Sequence, residues 1–328
     1  MADTSRLTDW VLSKSGELDL RVTTLQWVDA WLPGFYDYRV QICVQGKDFA
    51  GRGIDSDEKT AFDKACAEAI ERAICWTLKA PAAMAAFPDE EGARSRAYYE
   101  LVGIDRAICH HFCRQRLHPC SFGTLGKSIP AANIQKMAAA NRLEINLFEL
   151  RPVADARVIS AIAWSKDPRH PVKGFVAGFG TGPSQENAAL SAVLECLRTA
   201  TAVFIGGAGP EEPLNSLKAR RSPWWHIWQA QTEESMLHLR EHLLPQNQDP
   251  APDWKPEAIC ISDVTFKRLS GLYTLFDGLP LVVACAASQK LIEPQYGDFR
   301  LSDNAMRRFS AFNGGTGSVD VSVPHFYG

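Results

Sequence analysis

No single charge sign dominates this sequence, no apolar run is long enough to span a bilayer, and its cysteines form no disulfide-like framework. Lysine and arginine number 35 against 38 aspartates and glutamates, a net charge of −3, so nothing favours a nucleic-acid or membrane-surface partner. The longest strongly apolar stretch, Leu279–Ala287, falls well short of the ~20 residues a spanning helix needs. Nine cysteines make an odd count without paired spacing, which favours reduced thiols and a cytoplasmic protein. The opening residues, Met1 to Asp9, carry no basic region followed by an apolar segment, so no signal peptide is expected. Eight histidines are present, yet no Ser/His/Asp or Cys/His grouping can be assembled from the sequence.

What the chain does contain is length and repetition. Its 328 residues, 46% hydrophobic, can bury a substantial core. Three segments share one design: Gly51–Arg72, Ala83–Asp105 and Gly178–Arg198. Each begins with small residues (Gly51 and Gly53; Ala83 and Ala85; Gly178 and Gly180), crosses a polar stretch and enters a predicted helix. On the helices the same spacing recurs: Ala61, Ala65, Glu68; Ala93, Ala97, Glu100; Ala188, Ala192, Glu195. Three matches in register read as an internal repeat.

At about 100° per residue, offsets of 0, 4 and 7 fall within roughly a 60° arc, so each glutamate shares a face with two alanines. The alanines let that face lie close against a sheet or helix, which carries the glutamate out of bulk water. A buried carboxylate is costly unless it is paired or holds a metal. If the helices lie side by side, Glu68, Glu100 and Glu195 converge and need a cation between them, with Glu71 as a fourth carboxylate. Oxygen ligands suit Mg2+ completed by nucleotide phosphates. The alternative is three amphipathic helices whose glutamates pair with Arg72, Arg96, Arg106 or Arg198.

Around the repeats, Leu7–Val11 reads as helix and Tyr38–Val44 as a half-buried strand, with Asp55 and Glu58 forming a capping-box pattern. Pro88 and Asp89 signal the start of the second helix, which runs on to Phe112, and Pro183 and Ser184 precede the third. Further strands are expected at Leu143–Phe148, Val158–Ala163, Ala258–Val264 and Leu281–Ala286, with Arg151-Pro152 separating the first two. The glycines at 206, 207 and 209, followed by Pro210, should end the third helix; Thr232–Leu244 has helical spacing, and Gln246–Pro256 reads as an exposed linker. Cys109, His110, His111 and Cys113, with His118 and Cys120 nearby, are zinc-binding residue types in no paired-knuckle spacing, so the two helical cysteines read as core thiols. Gly126-Lys127-Ser128 imitates the end of a phosphate-binding loop, but Ser121 stands where that loop needs glycine. Trp224, Trp225 and Trp228 read as one side of a helix packed on its own domain.

The repeats also resemble a known family. Gly51 through Glu58, followed by Ala67-Glu68-Ala69-Ile70-Glu71-Arg72, is similar to the first glutamate motif of the YcaO superfamily. Tyr99-Glu100-Leu101-Val102-Gly103-Ile104-Asp105 resembles its second motif, which usually reads Glu-Leu-hydrophobic-Glu-Arg-Asp. Gly178 through Ala188, with Ala192-Val193-Leu194-Glu195, resembles its third, and Leu281 through Arg300 its late strand and loop. The resemblance spans roughly residues 40–328 and implies an α+β, YcaO-like fold of mixed β-sheets and packed helices, built from repeated strand-turn-helix units. It implies an N-terminal segment over 1–45 and a YcaO-like domain over 46–328.

It further implies ATP and Mg2+ as cofactors, with Glu68, Glu71, Glu100 and Glu195 holding the metal and, with Arg72, the nucleotide. The implied activity is ATP-dependent modification of peptide backbone amides, of cyclodehydratase or thioamide- or amidine-forming type, in a ribosomally made peptide. The implied partners are a precursor peptide and a protein that binds its leader, with homodimerisation open. Three features depart from the family pattern: Gly103 and Ile104 replace the second motif's glutamate and arginine, the first two motifs lie close together, and Pro324 is a lone proline near the end. They make a non-catalytic scaffold or substrate-binding subunit the rival expectation.

Overall fold

The computed structural model describes residues 5–25, 32–78, 83–126, 131–206, 213–219, 222–246, 254–269, 274–315 and 319–326. The chain gathers into two compact units, Met1–Glu100 with Val264–Ala287, and Leu101–Asp263 with Ser288–Gly328. Lys127 and Ser128 lie outside the described residues, as do Gly207 to Pro210 and most of the expected linker.

The first unit opens with helix α1 (Ser5–Ser13) and an antiparallel sheet of β1 (Arg21–Thr24), β2 (Tyr36–Val44) and β3 (Lys47–Asp55), in that order. Along β2 the alternation read from the sequence is observed: Val40, Ile42 and Val44 are buried. Gln45 and Gly46, with φ of 52° and 75°, make the two-residue turn that returns the chain into β3. Helix α2 (Glu58–Leu78) covers this sheet, and Ala65, Ala69, Ile70 and Ile74 join Val40, Ile42, Leu7 and Val11 in one core.

The cap of α2 differs from the expected box. Asp57 accepts from the Thr60 amide at 2.8 Å, while Glu58 accepts from the Tyr38 hydroxyl at 2.6 Å. Asp55 is drawn away by Lys64, so the cap falls to the next aspartate. A second antiparallel sheet in this unit orders β4 (Ala83–Phe87), β10 (Val282–Ala287) and β9 (Thr265–Arg268). Helix α3 (Glu90–Phe112) follows β4 and is capped by Asp89, which accepts from the Gly92 amide at 2.7 Å.

The second unit is built on an antiparallel sheet ordered β5 (His118–Cys120), β6 (Glu144–Val153), β7 (Ala156–Trp164) and β8 (Phe175–Gly182). Helices α4 (Ala131–Ala140) and α5 (Gln185–Gly206) follow β5 and β8; Ser184 caps α5 through the Asn187 amide at 3.2 Å. Arg151 and Pro152 do not end β6; a register shift between Leu150 and Val153 absorbs the proline. Beyond α6 (Leu214–Ala219), α7 (Pro223–Gln229) and α8 (Glu233–His238), the expected helix at Thr232–Leu244 appears as α8 capped by Thr232 and continued by a π turn.

The strand expected at Ala258–Val264 is absent. Glu257 makes one isolated bridge to Val153, and Ile261–Asp263 is a 3-10 turn. Asp263 accepts from the Cys260 amide at 3.1 Å and pairs with Lys290 at 2.6 Å, which holds a turn where apolar residues alone suggested a ladder. Helix α9 (Asp303–Phe312) closes the unit, burying Phe309 and Phe312 against Ile108, Cys109 and Cys113. Among the described residues, no helix is long and apolar enough to cross a membrane.

Candidate functional site

The sequence repeat is a structural repeat, and one hydrogen bond defines it. In each copy the helix glutamate accepts from a strand amide 16 residues earlier: Arg52 N to Glu68 Oε2 at 2.6 Å, Met84 N to Glu100 Oε2 at 2.7 Å, and Phe179 N to Glu195 Oε2 at 2.8 Å. The small residues flanking that amide permit the approach. A Cβ on Gly51 would lie 2.2 Å from the Ala65 carbonyl oxygen, and one on Gly178 would lie 2.3 Å from the Cys196 amide nitrogen. Gly53 and Gly180 are pressed in the same way against the Ala61 and Ala188 carbonyls. Strand and helix backbones therefore touch, and the glutamate reaches back over the strand.

Three of the predicted acids come together in the first unit. Glu71, one turn beyond Glu68 on α2, accepts from the Ala86 amide of β4 at 3.0 Å. Burial, then the charges of Glu100 and Glu68, push the Glu71 carboxyl well above the usual carboxylate range; the Ala86 amide and Arg72 counter this only in part. Arg72 donates to Glu68 Oε1 at 2.7 Å and to the Ala50 carbonyl at 2.6 Å. One expected glutamate–arginine pair thus exists alongside the cluster. Glu195 occupies the equivalent position in the second unit.

The donor set is all oxygen, Arg72 pairs with Glu68, and burial followed by the charges of Glu100 and Glu68 raises the Glu71 carboxyl. That fits Mg2+. Among the described residues, no group of three or more His, Cys, Asp or Glu side chains is arranged to hold a metal ion. An ion held by Glu68, Glu71 and Glu100 would complete its shell with water and phosphate oxygens, as Mg2+ does.

The family model described as YcaO cyclodehydratase, ATP- and Mg2+-binding, matches residues 76–269, over half the chain. The chain belongs to the YcaO family. Solved YcaO-type structures share its fold. The YcaO of Methanopyrus kandleri bound with AMPPCP and Mg2+ superposes with a TM-score of 0.56 at 15% identity, covering 90% of this chain and 95% of that one. A heterocyclase in complex with substrate and cofactor gives 0.62 at 13% identity, over 96% of this chain and 56% of that one. The E. coli microcin synthetase McbBCD complex gives 0.54 at 12% identity, over 78% and 85%. No curated protein sequence matches the chain.

Within this YcaO protein the departure at residue 103 has a steric basis. A Cβ on Gly103 would stand 2.4 Å from Thr181 Oγ1 and 2.7 Å from the Phe179 ring, so those β8 side chains fill the space a longer residue would take. Two residues on, Asp105 is fully buried and receives Arg308 Nε and Nη2, both at 2.8 Å, and the Ile292 amide at 2.9 Å. Burial alone would raise its carboxyl; Arg308, Arg106 and the Ile292 amide outweigh it and hold it below the usual range. Arg106 is committed to Glu257 at 3.1 Å rather than to a repeat glutamate. Sequence reading missed this lock because Asp105 and Arg308 are 203 residues apart.

The zinc-type cluster is core. Cys109 and Cys113 are buried free thiols, and burial pushes Cys113 up to about 12. His110 is held between the Gln115 carbonyl at 3.1 Å and the Arg151 amide at 3.0 Å. Of the tryptophans on α7, Trp225 is buried, Trp228 half-buried and Trp224 exposed, so the expected packed face holds for Trp225 and fails for Trp224.

Proposed function

We propose that this YcaO protein is an ATP- and Mg2+-dependent enzyme that modifies backbone amides of a ribosomally made peptide, of cyclodehydratase or thioamide- or amidine-forming type. The observation that carries the reading is the gathering of Glu68, Glu71 and Glu100 on strand amides, with Glu71 driven toward its protonated form. Mg2+ and ATP, when bound, supply the phosphoryl group that turns an amide oxygen into a leaving group. Glu68, Glu71 and Glu100 hold the cation, and the repeat assigns Glu195 to the same role. Each spends one oxygen on its amide bond, which fixes the carboxylate before the ligand arrives. Arg72 neutralises part of Glu68 and orients it. The precursor peptide arrives through a separate leader-binding protein.

Titrating ATP with and without Mg2+ tests this. Binding should require Mg2+ and weaken at least tenfold in Glu68→Gln and Glu100→Gln variants that remain folded. Mg2+-independent binding, or unchanged affinity in both variants, refutes it.

A second reading is favoured by Gly103: Phe179 and Thr181 occupy the space beside it, so the second motif's glutamate is replaced there, and the protein acts as a non-catalytic subunit of a modifying complex. ATP hydrolysis by the purified chain, abolished in Glu71→Gln, would rule that reading out.

A further inference from the structure

The last described residues, 319–326, are tied to the second unit through histidine rings. The Asp320 amide donates to the Phe112 carbonyl at 3.0 Å, and the Asp320 carboxylate pairs with Arg114. Farther along, His111 Nε2 lies 2.9 Å from the Val323 carbonyl and His226 Nδ1 lies 2.6 Å from the His325 carbonyl. His325 in turn places its Nε2 2.8 Å from the Gln295 carbonyl. Phe326 packs edge-on against Phe175 at 4.6 Å and His111 at 5.3 Å.

Carbonyl oxygens only accept, so each of these ring nitrogens carries its proton and donates. That fixes the tautomers. His226 is constrained at both ends, because its Nε2 accepts from the Gly297 amide at 3.0 Å. A second proton there would set one N–H against another. Its ring also stacks on His325 at 4.0 Å with 13° between planes, so two charged rings would repel at contact distance. His111 stacks near His238 at 4.5 Å, and His238 near His242 at 5.1 Å. Among the described residues, Tyr296 also stands beside the cluster, 5.9 Å from His226, as does Glu241, 4.0 Å from His242. The Asp320 carboxylate is taken by Arg114.

We infer that residues 319–326 form an acid-released strap, bound while His111, His226 and His325 are neutral and detached when they take up protons together. The inference is independent of the proposed enzymatic activity. Burial, the main cause, already holds His226 down to about 2 and His238 to about 4. Rings freed into water titrate near 6.5, so the released strap binds protons that the closed one excludes. Closure is therefore intact above that value and weakens as pH falls below it, by about tenfold per pH unit for each histidine that charges on release.

Hydrogen exchange of the full chain between pH 7.5 and 5.0, corrected for intrinsic exchange rates, reads the opening directly. Protection of 319–326 should fall by about 100- to 1,000-fold between pH 6 and pH 5, while the β7 amides keep theirs. In His226→Gln the side-chain amide still donates to the His325 carbonyl but cannot charge, and the slope should drop by about tenfold per pH unit. His325→Gln should do the same and serves if the first variant fails to fold. A flat profile, loss of strap and β7 protection in parallel, or an unchanged slope in the folded glutamine variants overturns the inference.

Discussion

Gly178→Ala places a single methyl group between β8 and α5 and tests whether backbone contact sets the position of Glu195. The new Cβ would lie 2.3 Å from the Cys196 nitrogen, 2.5 Å from the Ala192 oxygen and 2.9 Å from the Glu195 carbonyl carbon. All three are helix backbone, which cannot swing aside as a side chain can. Restoring ordinary contact needs the helix to lift by about 1 Å. The Phe179 N to Glu195 Oε2 bond, now 2.8 Å, would then stretch past hydrogen-bonding range. Overpacking costs about 1–3 kcal/mol, and losing a bond to a carboxylate about 1.5–3 kcal/mol. The expected loss is therefore about 3–5 kcal/mol, on the order of a 10 °C fall in Tm. Thermal unfolding followed by circular dichroism measures it. Ala83, which holds the same register in the second copy, is the control: Ala83→Gly should cost no more than about 1 kcal/mol. A Gly178→Ala protein within about 1 kcal/mol of the parent would refute the claim that strand–helix contact positions these acids.

Arg308→Met leaves Asp105 buried with Arg106 as its nearest cation at 3.7 Å, and chemical denaturation should show a loss of about 3–5 kcal/mol. Glu71 binds its proton more tightly folded than unfolded, so the stability it lends is present below the unfolded carboxyl value and is lost as pH rises through the raised folded one. Glu71→Gln should therefore flatten the decline of metal-free stability above pH 5 and abolish Mg2+-dependent ATP binding, as denaturation profiles and titration would show. His110, held down to about 3 by burial, is neutral when folded and charges near 6.5 when unfolded. Its contribution is intact above 6.5 and falls by about 1.4 kcal/mol per pH unit below it; His110→Gln should remove one proton from the acid slope of stability.

The repeat was legible because its determinants are local. Two small residues, two alanines and a glutamate sit at fixed offsets within some twenty residues, and the physics joining them is one close contact and one bond. Helix starts marked by Asp89 and Ser184 were legible for the same reason. The cap on α2 shifted to Asp57 because Asp55 faces Lys64, a competition the local pattern does not encode. Ala258–Val264 carries strand-forming residues, but a bond from the Cys260 amide to Asp263 and the Lys290 pair decide for a turn. Asp105 with Arg308, Gly103 with Phe179 and Thr181, and the histidines on the C-terminal strap join residues far apart in sequence. No periodicity announces such partners.

One consequence follows from having the same bond three times. A carboxylate brought into a protein interior either protonates or finds donors, and a single amide satisfies only part of an ionised group. Glu68, Glu100 and Glu195 each take one strand amide, and Glu68 takes Arg72 as well, so each carboxylate is oriented by the same local geometry. Where two copies adjoin in the first unit, burial and then the charges of Glu100 and Glu68 bear on Glu71, which holds its proton more tightly. A cation held there by Glu68, Glu71 and Glu100, as proposed, would displace that proton and meet carboxylates already oriented, so little rotamer entropy would be lost on binding.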